Sequence, residues 1–326
     1  MTTPRNFTRR AVCGLAASAC ATTLLSTPAR AQGAPGRAVR IVVPFPAGGA
    51  QDILARTLAD GLGERLRQPV LVENRPGAAG NLGADALAKA APDGHTLGVI
   101  SGVHTANAAF YRKLPFDLEK DFALVRPLGD SAVLIVTSPR TPYRTVADLL
   151  RHAKAEPGSV LFGSTTSLTM DLLKVETGAE VTMVPYKGLG EALQDLMGGR
   201  IQLAAGPSPQ LVPLIREGKL RAVGIASGRR IAELPGVATV AETVPGYDAG
   251  MWYGLYAPAG TPRPVLDRLQ AEVAAVMADP AVRSKLAVQG IDPSFGSASA
   301  AQVAARMQQE IARWRRVAAA TGNYAN

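Results

Sequence analysis

The sequence predicts an α/β protein of two doubly wound lobes, and three observations predict it. Short β-branched runs alternate with helical patterns for most of the length, which means βαβ units and a mostly parallel sheet. The alternation comes in two series, one reaching Asp130 and one opening at Val133. The chain has 326 residues, about 295 once an N-terminal address is set aside, more than one hydrophobic core usually organises.

The address is residues 1–31. Arg5, Arg9 and Arg10 form a basic n-region, Ala11 to Leu25 an apolar stretch, and Ala29-Arg30-Ala31 an A-x-A cleavage site. This predicts export to the periplasm, cleavage after Ala31 and a mature chain from Gln32. The apolar stretch is shorter than the roughly 20 residues of a spanning helix. The Arg9-Arg10 pair suits twin-arginine export, but Ala11, Val12 and Cys13 add nothing to it, and a Sec signal is the favoured reading. Lipid anchoring at Cys20 meets Ala17 where an aliphatic residue is usual. Both cysteines, Cys13 and Cys20, fall in the address, so the mature chain is expected to hold no disulfide. The address carries four arginines and no acid, so the formal charge of +9 falls to +5, 31 basic against 26 acidic residues. The excess is scattered in pairs such as Arg229-Arg230 and Arg315-Arg316 with few aromatics between, which argues against a nucleic-acid partner and supports only mild attraction for small anions.

The first series runs from Val39–Val43 into a helix carrying Leu54, Leu58, Leu62 and Leu66, then Val70–Val72, a helix from about Leu82, and Thr96–Ile100. The second has Val133–Val136, a helix over Val146–Ala155 with Thr145 as N-cap, and runs at Val160–Phe162, Val181–Val184, Ile201–Ala204 and Leu220–Ile225. Trp252–Ala257 then predicts a strand, Pro262 and Pro264 a helix start, and two or three helices finish the chain. In the last, Val303, Met307, Ile311 and Trp314 recur at helical spacing, a stripe that needs a sheet to cover.

Enzyme signatures are missing. His95, His104 and His152 fall in no metal-ligand spacing, His95 in "PDGHTLG" is a turn residue, and there is no nucleophile elbow or P-loop. Gly188-Leu189-Gly190 is followed by Glu191, Ala192 and Leu193, which breaks the dinucleotide fingerprint. The expectation is no catalytic residue, no metal and no cofactor.

The chain does offer backbone arranged for anions. In "VVPFPAGGAQDILAR", Pro44 and Pro46 stiffen a loop, Gly48 and Gly49 remove side chains where a ligand would approach, and a helix opens whose first N–H groups lack internal partners. An ordinary βα turn with glycines for tight packing is the other reading, and the motif alone leaves both open. Asp52 in the first turn complements the helix dipole and orders the loop; direct ligand contact suits it only if the ligand carries an amino group. Four stretches repeat this grammar: "NRPGAAGNLGAD" with Gly80-Asn81 before a helix, "SGVHTANAAFY", "FGSTTSLTMD" and "VPYKGLGEAL". All sit beyond strand ends, where doubly wound lobes place ligand loops.

These stretches, with "VENRPGAAGNLGAD", "FDLEKDFALV", "VPYKGLGEALQDLMGGRI", "GKLRAVGIAS" and "WYGLYAPAGTP" in order and at family-like spacing, resemble the Bug-type receptors of tripartite tricarboxylate transporters. The resemblance covers essentially the whole mature chain. It implies a periplasmic-binding-protein-like (Venus flytrap) fold: residues 32–132 with 252–326 as one lobe, 133–251 as the other, joined by crossing strands and closing on a small carboxylate. It also implies no catalysis, and permease subunits as partners of a monomeric receptor. Residue by residue, Phe45, Ala47, Gly48, Gly49 and Asp52 match the first ligand loop, and His104 and Asn107 a "THAxN"-like segment in which Val103 replaces Thr. Gly163 and Ser164 match the start of a second-lobe loop, and Tyr186 to Gly188 the "YKG". After Gly163-Ser164 the chain reads Thr165-Thr166-Ser167-Leu168, about three residues short, with Ser167 in place of the family's histidine. Gly206 stands near a position where an acid is frequent, which removes a partner for a ligand ammonium. Gly80, Asn81, Thr165 and Gly206 complete the expected ligand set. A sensor module and, less well supported, an exported hydrolase or lyase remain as competing functions.

Overall fold

The computed structural model describes residues 37–164, 166–322 and 324–325, apart from the Phe295 side chain. The predicted signal segment and Thr165 lie outside them.

Eleven strands form two mixed sheets among these residues. In the first, β1 (Val39–Val43) lies parallel to β2 (Val70–Asn74) and β3 (Thr96–Ser101). Across β3 come β10 (Met251–Pro258), β4 (Phe122–Ser131) and β11 (Ile291–Asp292), each antiparallel to its neighbour, in the order β11-β4-β10-β3-β1-β2. In the second, β6 (Leu161–Ser164) is parallel to β7 (Thr182–Pro185) and β8 (Leu203–Pro207), while β5 (Val133–Thr137) runs antiparallel between β8 and β9 (Arg221–Ile225). The parallel half of each sheet is the βαβ half the alternation predicts. Of the strands that run against the rest of their sheets, β5 and β10 are delivered by chain crossing between lobes, and β11 is added at the first sheet's edge. β4 passes to β5 through Ala132 alone, and the segment after β9 returns at β10.

Helix α1 (Ala50–Leu66) follows β1 and buries Leu54, Leu58 and Leu62 completely, with Leu66 8% exposed. Residues four apart share a helix face, so these leucines line one stripe against β1 and β3, each contributing about 1.5–3 kcal/mol. The helix stops at Arg67, in the left-handed region at φ 55°, just before Pro69. Short helices α2 (Asn81–Ala88) and α3 (Gly102–Phe110) follow β2 and β3; α4 (Val146–Ala155), α5 (Leu168–Thr177), α6 (Leu189–Met197) and α7 (Ser208–Arg216) serve the second sheet. Thr145 caps α4 by accepting the Asp148 N–H at 3.1 Å.

Three helices follow β10: α8 (Arg263–Ala278), α9 (Pro280–Val288) and α10 (Ala300–Thr321). The α10 stripe is core throughout. Val303, Met307 and Ile311 pack with Trp252 and Tyr256 of the first sheet, whereas Trp314 and Val317 join Ile135 and Leu203 of the second. One helix therefore seals both cores. It is pinned by buried Glu310, which accepts from Thr105 Oγ1 and Trp252 Nε1, both at 2.8 Å.

Candidate functional site

The loop after β1 is braced from beneath. Gly48, at φ +86°, donates its N–H to Asp52 Oδ2 at 2.9 Å, and Arg56 Nε reaches the same oxygen at 2.9 Å. Asn74 Nδ2, from the end of β2, bonds Asp52 Oδ1 at 2.9 Å and the Phe45 carbonyl at 3.1 Å. Burial works against ionising Asp52, but these bonds from Arg56, Gly48 and Asn74 outweigh it and hold the carboxyl below its usual range. Asp52 is 3% exposed and fully engaged, the loop-ordering role rather than an outward contact.

Above the brace, Pro46, Ala47, Gly48 and Gly49 are exposed, and no side chain caps α1 at Gly49. A Cβ at Gly48 would meet nothing within 4 Å, and one at Gly49 only the Pro46 carbonyl oxygen at 3.7 Å, so tight packing does not account for these glycines. Gly49 itself has φ −78° and ψ 168°; of the pair, only Gly48 needs the left-handed backbone.

A second turn adjoins the loop. Ala78, Ala79 and Gly80 all have positive φ, an arrangement costing on the order of 1–3 kcal/mol per non-glycine residue. Asn107 over-determines it, donating from Nδ2 to the Ala79 carbonyl at 2.9 Å and to Asn81 Oδ1 at 2.8 Å. A Cβ on Gly80 would come within 3.0 Å of the Phe45 ring and 3.2 Å of His104 Nε2. His104 is wholly buried under that contact, its ring edge-on to Phe45 at 6.2 Å. The Ser101 N–H donates to His104 Nδ1 at 3.2 Å, which places the ring proton on Nε2, facing the Gly80 backbone. Burial lowers the His104 pKa to about 4, so the ring is neutral near pH 7.

Two residues of this half-site escape sequence reading. Gln51, 7% exposed, donates from Nε2 to Ser101 Oγ at 3.0 Å, leaving its Oε1 buried without a partner. The signal available was a long amide in the first helical turn, one residue before Asp52.

The second lobe contributes the ends of β6, β7 and β8. A Cβ on Gly163 would lie 2.4 Å from Ile201 Cδ1 and 2.9 Å from the Tyr186 ring, and one on Gly206 would lie 2.3 Å from Leu189 Cδ2. Both are glycine because side chains pack on them. Ser164 is 8% exposed and its carbonyl accepts the Tyr186 N–H at 3.0 Å. The Tyr186 hydroxyl donates to Asp195 Oδ2 at 2.7 Å, which raises its pKa and commits it within the lobe. The open glycine here is Gly188, the N-cap of α6, with no side-chain cap and nothing within 4 Å of an added Cβ. Ser167, before α5, hydrogen-bonds Asp171.

Strand register brings the two sets of loops to one place. Ser101 at the end of β3 pairs with Tyr253, Met251 pairs with Ser131, and Val133, just past the crossing, pairs with Pro207 at the end of β8. The carboxyl ends of β1–β3 and of β6–β8 therefore both border the crossing strands. No lysine or arginine lies in 44–49 or among the described residues of 162–171. Arg75, on the flank, is paired with Glu73 at 2.6 Å, and Lys187 is exposed. Among the described residues, no group of three or more His, Cys, Asp or Glu is placed to hold a metal ion. The chemistry on offer is recognition of an anion by main-chain donors.

Comparison with known proteins identifies the family. Residues 54–322 match the model of the tripartite tricarboxylate transporter family receptor. Protein BugT of Bordetella pertussis is 36% identical over 310 residues, 93% of this chain and 94% of that one. Among solved structures, R. palustris Rpa4515 with adipate superposes with a TM-score of 0.74 at 33% identity, covering 88% of this chain and 98% of that one. MatC from Rhodopseudomonas palustris with bound malate gives 0.72 at 34%, covering 87% and 99%.

Proposed function

This chain belongs to the tripartite tricarboxylate transporter receptor family, a family of periplasmic solute-binding receptors, and we propose that it captures a small carboxylate-bearing metabolite between its lobes and delivers it to the membrane permease. The observation that carries the reading is the uncapped N-terminus of α1 behind exposed Gly48 and Gly49, with Asp52 turned away into bracing. A carboxylate there meets main-chain N–H groups at the positive end of a helix dipole. Adipate and malate in the related structures support the ligand class. Phe45, Ala47, Gly48, Gly49, Gly80 and the second-lobe residues Ser164, Thr165 and Tyr186 form the contact region, with Gly188 added. Asp52, Asn81, His104 and Asn107 act by holding it in shape, and Gly163 and Gly206 by letting the second half pack.

The lobes divide at residues 132–133 and 251–252, a division that strand membership supports, with α10 shared between both cores. The chain works as a monomer, exported by residues 1–31 with cleavage after Ala31, and needs no cofactor. Because Gly206 packs on Leu189 and offers no acid, a ligand without an ammonium group fits better than an amino acid. A thermal-shift screen of dicarboxylates, tricarboxylates, aromatic acids and amino acids tests this. A ligand bound only by the native state raises the midpoint by mass action, so a carboxylate without an amine should give the largest shift. A response confined to amines or to uncharged solutes would reject the reading.

A further inference from the structure

Beside the crossing at Ala132 is a cavity of about 390 Å³, lined by Asp130 and Asp292 from the first lobe and by Ser208, Ser227 and Arg229 from the second, among others. The segment after β9 that borders it is fastened to the second lobe. The Ile225 N–H donates to the Ala238 carbonyl at 3.0 Å, Ile231, Leu234 and Val237 pack on the core of Leu134, Leu211 and Leu220, and Arg230 pairs with Glu242 at 2.7 Å. Arg229, in that same segment, reaches instead to the first lobe. Its guanidinium is paired with Asp130 on β4 and, at 2.7 Å, with Asp292 on β11. Those two carboxylates are cross-strand partners in the antiparallel ladder, where like charges repel unless a cation stands between them.

We propose that Arg229 is an interlobe latch, a positioning residue that sets the balance between separated and closed lobes. The candidate ligand loops end β1–β3 and β6–β8; the latch partners lie on β4 and β11, at the opposite end of the first sheet's order. In this proposal, a rotation about the crossing at Ala132 that brings the loops together lengthens the Arg229 bridge. Ligand closure then works against the latch, and a chain without it closes more readily. The bridge is half exposed, with the Arg229 side chain 47% accessible, and exposed ion pairs add little to global stability. A bias of that size is nevertheless enough to change the ratio of two near-balanced arrangements about two- to fivefold.

The test is on the unliganded chain. Spin labels at Leu71→Cys on β2 and Lys187→Cys beyond β7, both exposed, mark the outermost strands on the ligand side of the two sheets. With Cys13→Ser and Cys20→Ser, these are the cysteines present, and double electron–electron resonance reads the interlobe distance. Arg229→Met should move the population towards shorter distances, with Arg229→Lys between it and the parent. Asp292→Asn, a change at a half-exposed side chain, removes one arm and should give part of the same shift even if Arg229→Met folds poorly. A lowered melting temperature with unchanged distances in these variants would mean that Arg229 merely neutralises two carboxylates, and a shift to longer distances would reverse the proposed sign; either overturns the latch.

Discussion

In the first lobe a Cβ at Gly48 would meet nothing within 4 Å, whereas in the second a Cβ at Gly206 would sit 2.3 Å from Leu189 and one at Gly163 2.4 Å from Ile201. The two half-sites share one sequence grammar, a strand running into small residues and glycine before a helix. They spend glycine differently. The first lobe leaves Gly48 and Gly49 bare over a buried polar brace, Asp52–Asn74 and Gln51–Ser101–His104. The second lets hydrophobic side chains press on the strand ends and leaves Gly188 and Gly190 bare, at the start of α6. One half-site is a braced polar floor and the other an apolar seat.

Acid should break this comparison most strongly, because the wholly buried histidine belongs to the first half-site. His104 has its pKa lowered by burial from 6.5 to about 4. Between those values the unfolded chain takes up a proton that the folded chain refuses, so falling pH favours unfolding. Stability is untouched above about pH 6.5, declines from there to about pH 4, and is flat below as far as this group is concerned. The full loss is about 3 kcal/mol, from roughly 2.5 units at 1.36 kcal/mol each. Asp52 acts in a separate window: its carboxyl is held below 3.8, so its contribution disappears only as pH falls beneath that value. Urea unfolding at pH 7, 6, 5 and 4 should show the first decline, and His104→Gln should remove it. A pH-independent wild-type free energy across that range would contradict the buried neutral imidazole.

Substitution at the glycines sharpens the same contrast at somewhat smaller cost. Gly163→Ala and Gly206→Ala should lower the unliganded stability by about 1–3 kcal/mol through overpacking. Gly49→Val meets an extended backbone with room for a side chain, so its unliganded stability should stay within about 0.5 kcal/mol of wild type. Its affinity for the best carboxylate from the thermal screen should nevertheless fall by about 1–3 kcal/mol, the cost of one charge-assisted contact. Calorimetric titration beside melting curves separates the two, and an unaltered dissociation constant in Gly49→Val would remove the first loop from the site.

Much of this architecture is legible in the residues. The β-branched runs at Val39, Thr96, Val133, Leu220 and Trp252 all became strands, and apart from exposed Arg40 their residues are buried or half-buried, the short apolar runs that central strands favour. β4 escaped, although at ten residues it is the longest strand: "FALVRPLGDS" carries Pro127 and Gly129, which demote a run to loop. It tolerates them because its pairing with β10 shifts register twice, at Tyr253/Gly254 and at Leu255/Tyr256. Gln51 and Ser101 were invisible for another reason. Their bond joins residues fifty apart, and nothing local marks a polar side chain that will be buried by a helix from elsewhere. The packing role of Gly163 and Gly206 depends on Ile201 and Leu189, which no motif pairs with them.

The smallest expected effect concerns salt. In the first half-site an anion would be met by the α1 dipole and main-chain donors, with no lysine or arginine in the loop, and a helix terminus is worth about 0.3–1 kcal/mol before screening. In the second, Lys187 stands exposed beside Tyr186 and could add an ion pair worth about 0.2–1 kcal/mol. Raising ionic strength to 1 M shortens the Debye length to about 3 Å and removes most of either contribution. Affinity for the same carboxylate should therefore fall by less than about fivefold, the equivalent of about 1 kcal/mol. Lys187→Ala decides between the lobes. If both lobes bind through main-chain donors, the variant should keep the wild-type salt slope and nearly its affinity. A flattened slope in Lys187→Ala would assign the electrostatic attraction to the second lobe, while a steep wild-type slope that survives the substitution would point to Arg75 breaking its bond to Glu73 to meet the ligand.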